Sequence, residues 1–181
     1  MLKWGLIEMS EEASGLSWGH INLNVRDLEA SVAFYEGLGF EILMPSIPYL
    51  GIVREGEPCR VPAEGIRALK LPDGTSGRGC ILRLGSGFPM LDLTEWTGRA
   101  GRAPLANEDR GLVRICLASQ NLDEDYERLT ARDVPFLSTP QVCQGGMAEI
   151  AVCLDPDGSM IELIQIRIEK WAVPTALGTD A

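Results

Sequence analysis

Hydrophobic and polar residues alternate in two stretches that echo each other, W-G-H-I-N-L-N-V from Trp18 to Val25 and G-L-V-R-I-C-L-A from Gly111 to Ala118. A period of two marks a strand, because successive side chains leave opposite faces of a pleated chain. Each stretch is followed by helical spacing. In the first, Asp27 is placed to cap a helix along which Leu28, Val32 and Tyr35 recur at i, i+4 and i+7, until Gly37 and Gly39 stop it. In the second, Asn121 caps, Leu122, Tyr126 and Leu129 repeat the spacing, and the helix ends before Pro135.

Strand candidates follow each helix. In the first half they are Glu41 to Leu43, Gly65 to Leu71, and Cys80 to Leu84 joined through G-S-G-F-P to Met90 to Trp96. In the second half they are Phe136 to Pro140, Met147 to Leu154, and Met160 to Ile166, the last two joined by D-P-D-G-S. The stretch Pro45 to Ala63 carries four prolines and reads as a loop or lid outside the core. The order βαβββ, written twice, predicts an α+β fold. Its first module covers 15–98 and its second 108–170, together one domain, with a C-terminal tail at 171–181. One module leaves a sheet face bare, so two are expected to curl into a cupped mixed β-sheet around a pocket.

Alternation also assigns faces. Ile21, Leu23 and Val25 turn to the helix, which leaves His20, Asn22 and Asn24 facing the cup. Val113, Ile115 and Leu117 do the same in the second half, turning Leu112, Arg114, Cys116 and Ala118 inward. Leu91 and Leu93 place Met90, Asp92, Thr94 and Trp96 inside, and Ile161 and Leu163 place Glu162 there. Four strands thus each offer one ionisable side chain at an equivalent position: His20, Asp92, Arg114 and Glu162.

One imidazole and two carboxylates, from His20, Asp92 and Glu162, suit a divalent ion such as Fe, Mn, Zn or Ni. A guanidinium stays protonated and cannot coordinate, so Arg114 is expected to bind either those carboxylates or an anionic substrate. Asn22, Trp18, Trp96 and Met90 are the candidates for holding an aromatic or amphipathic ligand.

Composition narrows the partners. Twenty-six acidic against 16 basic residues give a formal charge of -10, which repels nucleic acid and anionic membrane surfaces. No apolar run reaches the roughly 20 residues a membrane span requires, and the opening M-L-K-W-G-L-I-E-M-S-E-E has acids where a signal peptide would be apolar, so a cytoplasmic protein is expected. Five cysteines without a CxxC argue against a disulfide framework or zinc knuckle, and read as reduced, mostly buried residues outside the site.

The segments from Trp18 to Phe40, M-L-D-L-T-E-W, G-L-V-R-I-C-L-A and D-P-D-G-S-M-I-E-L-I-Q resemble the vicinal oxygen chelate superfamily of glyoxalases, bleomycin resistance proteins and ring-cleaving dioxygenases. The resemblance spans about Ser17 to Ile168. It implies metal ligands on the first and last strand of each module, which fall here on His20, Asp92 and Glu162, with Arg114 standing at the fourth ligand position. It further implies lyase or isomerase chemistry through an enediolate, with Glu162 as proton shuttle and Arg114 or a metal stabilising the oxyanion. The alternative it implies is a metal-free protein that sequesters an antibiotic or aromatic ligand. A ring-cleaving dioxygenase is the less favoured option with one histidine. Many members dimerise, so a homodimer is an expectation of the same kind.

Overall fold

The computed structural model describes residues 17–168. The segment 171–181, read above as a tail, lies outside the described residues, as do 15–16 and 169–170.

In chain order the elements are β1 (His20–Asn24), α1 (Leu28–Gly37), β2 (Glu41–Met44), β3 (Ser46–Ile47), β4 (Ile52–Val53), β5 (Cys59–Arg60), α2 (Ala63–Leu69), β6 (Ser76–Arg83) and β7 (Met90–Trp96). After these come β8 (Arg114–Ala118), α3 (Leu122–Thr130), β9 (Gln141–Val142), β10 (Ala148–Leu154) and β11 (Met160–Ile166). One sheet runs β1-β7-β6-β2 with β5 on β6, and another runs β8-β11-β10-β9. In each, the opening strand is parallel to the closing strand and the remaining pairs are antiparallel. This is the mixed, internally duplicated α+β fold that the alternation predicts.

The duplication reaches individual hydrogen bonds. Asp27 accepts from the Ala30 N–H at 3.0 Å and Asn121 from the Glu124 N–H at 3.4 Å, so both predicted caps form. The first amide of each helix, an orphan donor by geometry, is taken by the same place on the closing strand: Leu28 N–H donates to Glu95 Oε2 and Leu122 N–H to Gln165 Oε1, both at 2.8 Å. Leu28, Val32 and Tyr35 from α1, Leu122 and Leu129 from α3, and Leu91, Leu93, Ile161 and Leu163 from the closing strands fill one continuous core.

Residues 45–62 are not a loop outside the core. They form the β3–β4 hairpin, a 3-10 turn at Pro48–Leu50 and β5, and their Ile47, Leu50, Ile52 and Val61 bury a second cluster against Ile81 and Trp96. The glycines of β6 permit this close approach. A Cβ on Gly79 would stand 2.8 Å from both Ile47 Cδ1 and the Leu93 carbonyl, tighter than packed atoms tolerate.

Gly65 to Leu71 is not a strand. Pro62 leads into helix α2, Glu64 sits in its first turn, and Lys70 ends it in a left-handed conformation at φ 52°. Phe136 to Pro140 makes only a single bridge, Phe136 to Cys153, because prolines at both ends leave too short a run to ladder. The edge strand is instead Gln141–Val142.

Candidate functional site

Register decides what the two halves hold in common. In the β1–β7 pair, His20 lies opposite Met90 and Asn22 opposite Asp92. In the β8–β11 pair, Arg114 lies opposite Met160 and Cys116 opposite Glu162. His20 and Arg114 therefore occupy matching positions, and so do Asp92 and Glu162. Ile21, Leu23, Ile115 and Leu117 pack on the core from the other face, which leaves all four ionisable residues on the polar faces.

On the first face, Asp92 is completely buried. Tyr49 Oη donates to its Oδ2 at 2.6 Å, and His20 Nε2 lies 3.2 Å from the same phenol oxygen, the two rings stacking at 5.6 Å. The phenol has one proton and gives it to Asp92, so His20 Nε2 must be the donor to the phenol oxygen, and the imidazole carries its hydrogen there. Burial, and then the hydrogen bond to Asp92, pushes the Tyr49 hydroxyl above the usual tyrosine range. Tyr49 is therefore a neutral donor at physiological pH. Asp92 Oδ1 is buried without a hydrogen-bond partner. Further along the face Thr94 donates to Asn22 Oδ1, while Asn22 Nδ2 and Trp96 Nε1 both donate to Asn24 Oδ1.

On the second face, Arg114 Nε donates to Glu162 Oε2 and Arg114 Nη1 donates to Asn107 Oδ1 at 2.7 Å. The Cys116 thiol reaches Glu162 Oε1 at 3.4 Å. Partial burial of the sulfur and the neighbouring Glu162 charge raise that thiol to about 11. Among the described residues, Arg114 Nη2 has no hydrogen-bond partner and Glu162 Oε1 has only the Cys116 thiol.

The structure thus brings His20 together with Asp92, and Arg114 together with Glu162. No hydrogen bond or ion pair among the described residues joins one pair to the other. Of the ligand-binding candidates, Asn22 and Trp96 belong to the hydrogen-bonded ladder of the first face and Trp18 is exposed. Met90 lines a 440 Å³ cavity between the halves with Tyr35, Phe40, Phe88, Ile115 and Leu117. Tyr49, Cys116 and Asn107 were not in the predicted site. Nothing in the alternation marks Tyr49 or Asn107, but Cys116 was signalled by its inward parity two residues from Arg114. Cys80 and Cys153 are buried and all five thiols are free, whereas Cys116 is exposed beside the Glu162 carboxylate.

These donors do not fit the four-ligand divalent centre that the resemblance implies. Glu162 is occupied by a cation that cannot coordinate, His20 Nε2 points its proton at Tyr49, and the described residues hold no cluster of three His, Cys, Asp or Glu side chains.

The model of the Glyoxalase/Bleomycin resistance protein/Dioxygenase superfamily matches residues 17–163. The chain belongs to this superfamily. A lactoylglutathione lyase of Pseudomonas putida is 27% identical over 162 residues, covering 82% of this chain and 84% of the relative. Among solved structures, a glyoxalase family protein from Bacillus cereus superposes with a TM-score of 0.66 at 15% identity, covering 87% of this chain and 99% of that one. The trypanothione-dependent glyoxalase I of Leishmania major gives 0.51 at 23% identity, covering 81% and 84%. These structural likenesses establish the superfamily's fold. No described helix is long and apolar enough to cross a membrane.

Proposed function

We propose that the chain is a glyoxalase-like lyase or isomerase that acts on a small molecule through an enediolate-like intermediate, using its own charged side chains where metal-dependent relatives use an ion. The observation that carries this is the Arg114–Glu162 pair at ligand-equivalent positions, with a guanidinium donor and a carboxylate acceptor both partly free. In this reading Glu162 Oε1 removes a proton from the carbon next to a carbonyl. Arg114 Nη2 donates to the oxygen on which negative charge collects, that oxygen takes up the proton of the adjacent hydroxyl as the new carbonyl forms, and Glu162 returns its own proton to the neighbouring carbon. Tyr49 and His20 are fixed donors of the other half, oriented by the buried Asp92.

Among the described residues no hydrogen bond or ion pair joins the two pairs within one chain. The reading therefore includes a homodimer, in which an isologous pairing would set one pair of each copy opposite the other. Five free thiols fit a reducing, cytoplasmic compartment. A second reading, a metal-free holder of an aromatic ligand, is favoured by the apolar cavity lined by Met90, Phe88 and Tyr35.

Proton exchange at carbon tests the choice. Lactoylglutathione and simple α-hydroxycarbonyl compounds are incubated with the chain in D₂O and followed by NMR. Deuterium incorporation that survives chelation, falls about a hundredfold or more in Glu162→Gln and falls in Arg114→Ala supports the reading. Saturable binding of aromatic compounds without any exchange supports the second. Exchange that disappears on chelation would sink the metal-independent account.

A further inference from the structure

A second concavity lies where the two halves meet, at the far end of the first polar face. It has a volume of 560 Å³ and is walled by Asn24 and Trp96, by the Arg99–Pro104 stretch of the connection between the halves, and by Asp157 and Ser159 of the β10–β11 turn. Three segments distant in sequence build it, and specific contacts fix them. Arg26 grips the turn through Asp157 and the Pro156 carbonyl, and Pro104 seats within 4 Å of where a Cβ on Gly158 would stand.

Its charge runs against that of the molecule. The whole chain carries -10, yet this pocket is lined by Arg26, Arg99 and Arg102 against a single acid, Asp157. Arg26 and Asp157 cancel each other in an ion pair. Arg99 and Arg102 have no hydrogen-bond or ion-pair partner among the described residues and are exposed to the pocket's solvent. Two unpaired guanidinium groups in one concavity present forked donors to a carboxylate or phosphate. The neutral lining matches. Trp96 supplies a flat apolar ring whose indole N–H is already committed to Asn24, and the Asn24 amide N–H₂ and Ser159 hydroxyl add donors that no described residue engages.

We propose that this pocket binds an oxyanion carried on a flat apolar body, the anionic group held by Arg99 and Arg102 and the body resting on the Trp96 ring. The site lies four residues along β7 from Asp92, about 13 Å at the rise of a strand, and is separate from that buried carboxylate. The proposal stands without the lyase reading, because binding is measured without turnover.

The test titrates the full chain calorimetrically with 1-naphthyl phosphate, 1-naphthoate, inorganic phosphate and neutral 1-naphthol. At least one naphthyl anion is expected to saturate the site and to bind more tightly than inorganic phosphate. Its Kd should rise at least tenfold in Arg99→Gln and in Arg102→Gln, and should rise with salt. The better of the two naphthyl anions identifies the anion class. Because neither arginine has a hydrogen-bond or ion-pair partner among the described residues, both variants should keep the parent's melting temperature, so a loss of binding reports the site. Unchanged affinity in the double Gln variant, naphthol binding as tightly as the anions, or no saturable binding of either naphthyl anion overturns the proposal.

Discussion

Tyr49 and Cys116 show how a single neighbour sets what a side chain can do. Among the described residues, Tyr49 supplies the one hydrogen bond that Asp92 Oδ2 receives, while Oδ1 receives none. Tyr49→Phe should therefore cost about 1–3 kcal/mol, since it strands a buried carboxylate. Asp92→Asn in that background should recover part of the loss. Urea unfolding of the two single variants and the double closes the cycle, and simple additivity would show that the pair is not coupled. Cys116 lies within reach of solvent, yet its thiol is raised to about 11 by partial burial and by Glu162. The thiolate is the nucleophile, so alkylation at pH 8 should be slow and climb as the pH nears 11. Glu162→Gln should speed it severalfold by removing the second of those causes. Residue-resolved mass spectrometry after iodoacetamide treatment measures this.

Among the elements, those that alternate or cap cleanly were legible in the sequence. β1, β7, β8, β11, α1 and α3 stand where Asp27, Asn121 and the period-two runs put them, because their own residues determine their burial. The segment between β2 and β6 was illegible because its order comes from elsewhere. Ile47 and Ile52 are fully buried only because Gly79 offers a flat patch of sheet to lie on, and no local period announces that. Tyr49 was missed with it. Gly79→Ala should push this segment off the sheet at a cost of about 1–3 kcal/mol, seen as a lower urea midpoint and faster proteolysis between Arg54 and Cys59. The same segment is tied to α1 by Arg54, whose hydrogen bonds hold the Glu29 carboxyl below the usual glutamate range despite some burial. A depressed carboxylate stabilises above its unfolded pKa, and that contribution disappears as pH falls through the lower folded value. Proteolysis there should quicken only in acid, and modestly, since the pair is partly exposed. Glu29→Gln should abolish this acid dependence.

At the scale of the molecule, the two halves are joined by one core and by a few polar ties: Tyr35 Oη to Asp155 at 3.1 Å, Arg26 to Asp157, and Arg128 to the Gly37 carbonyl at 2.7 Å. Shared burial predicts a single cooperative transition, with tryptophan fluorescence and far-UV circular dichroism melting together. Asp155→Ala should lower that one midpoint rather than split it, because Asp155 also accepts from the Asp157 and Ser159 amides. Two separated transitions would refute the shared core. The matching registers have a practical corollary. Each half is a built-in reference for the other, so trading residues between positions 20 and 114 moves an imidazole and a guanidinium between near-identical frames. If chemistry travels with the side chain, the halves are interchangeable scaffolds; if it stays with the position, the surroundings have diverged beyond exchange.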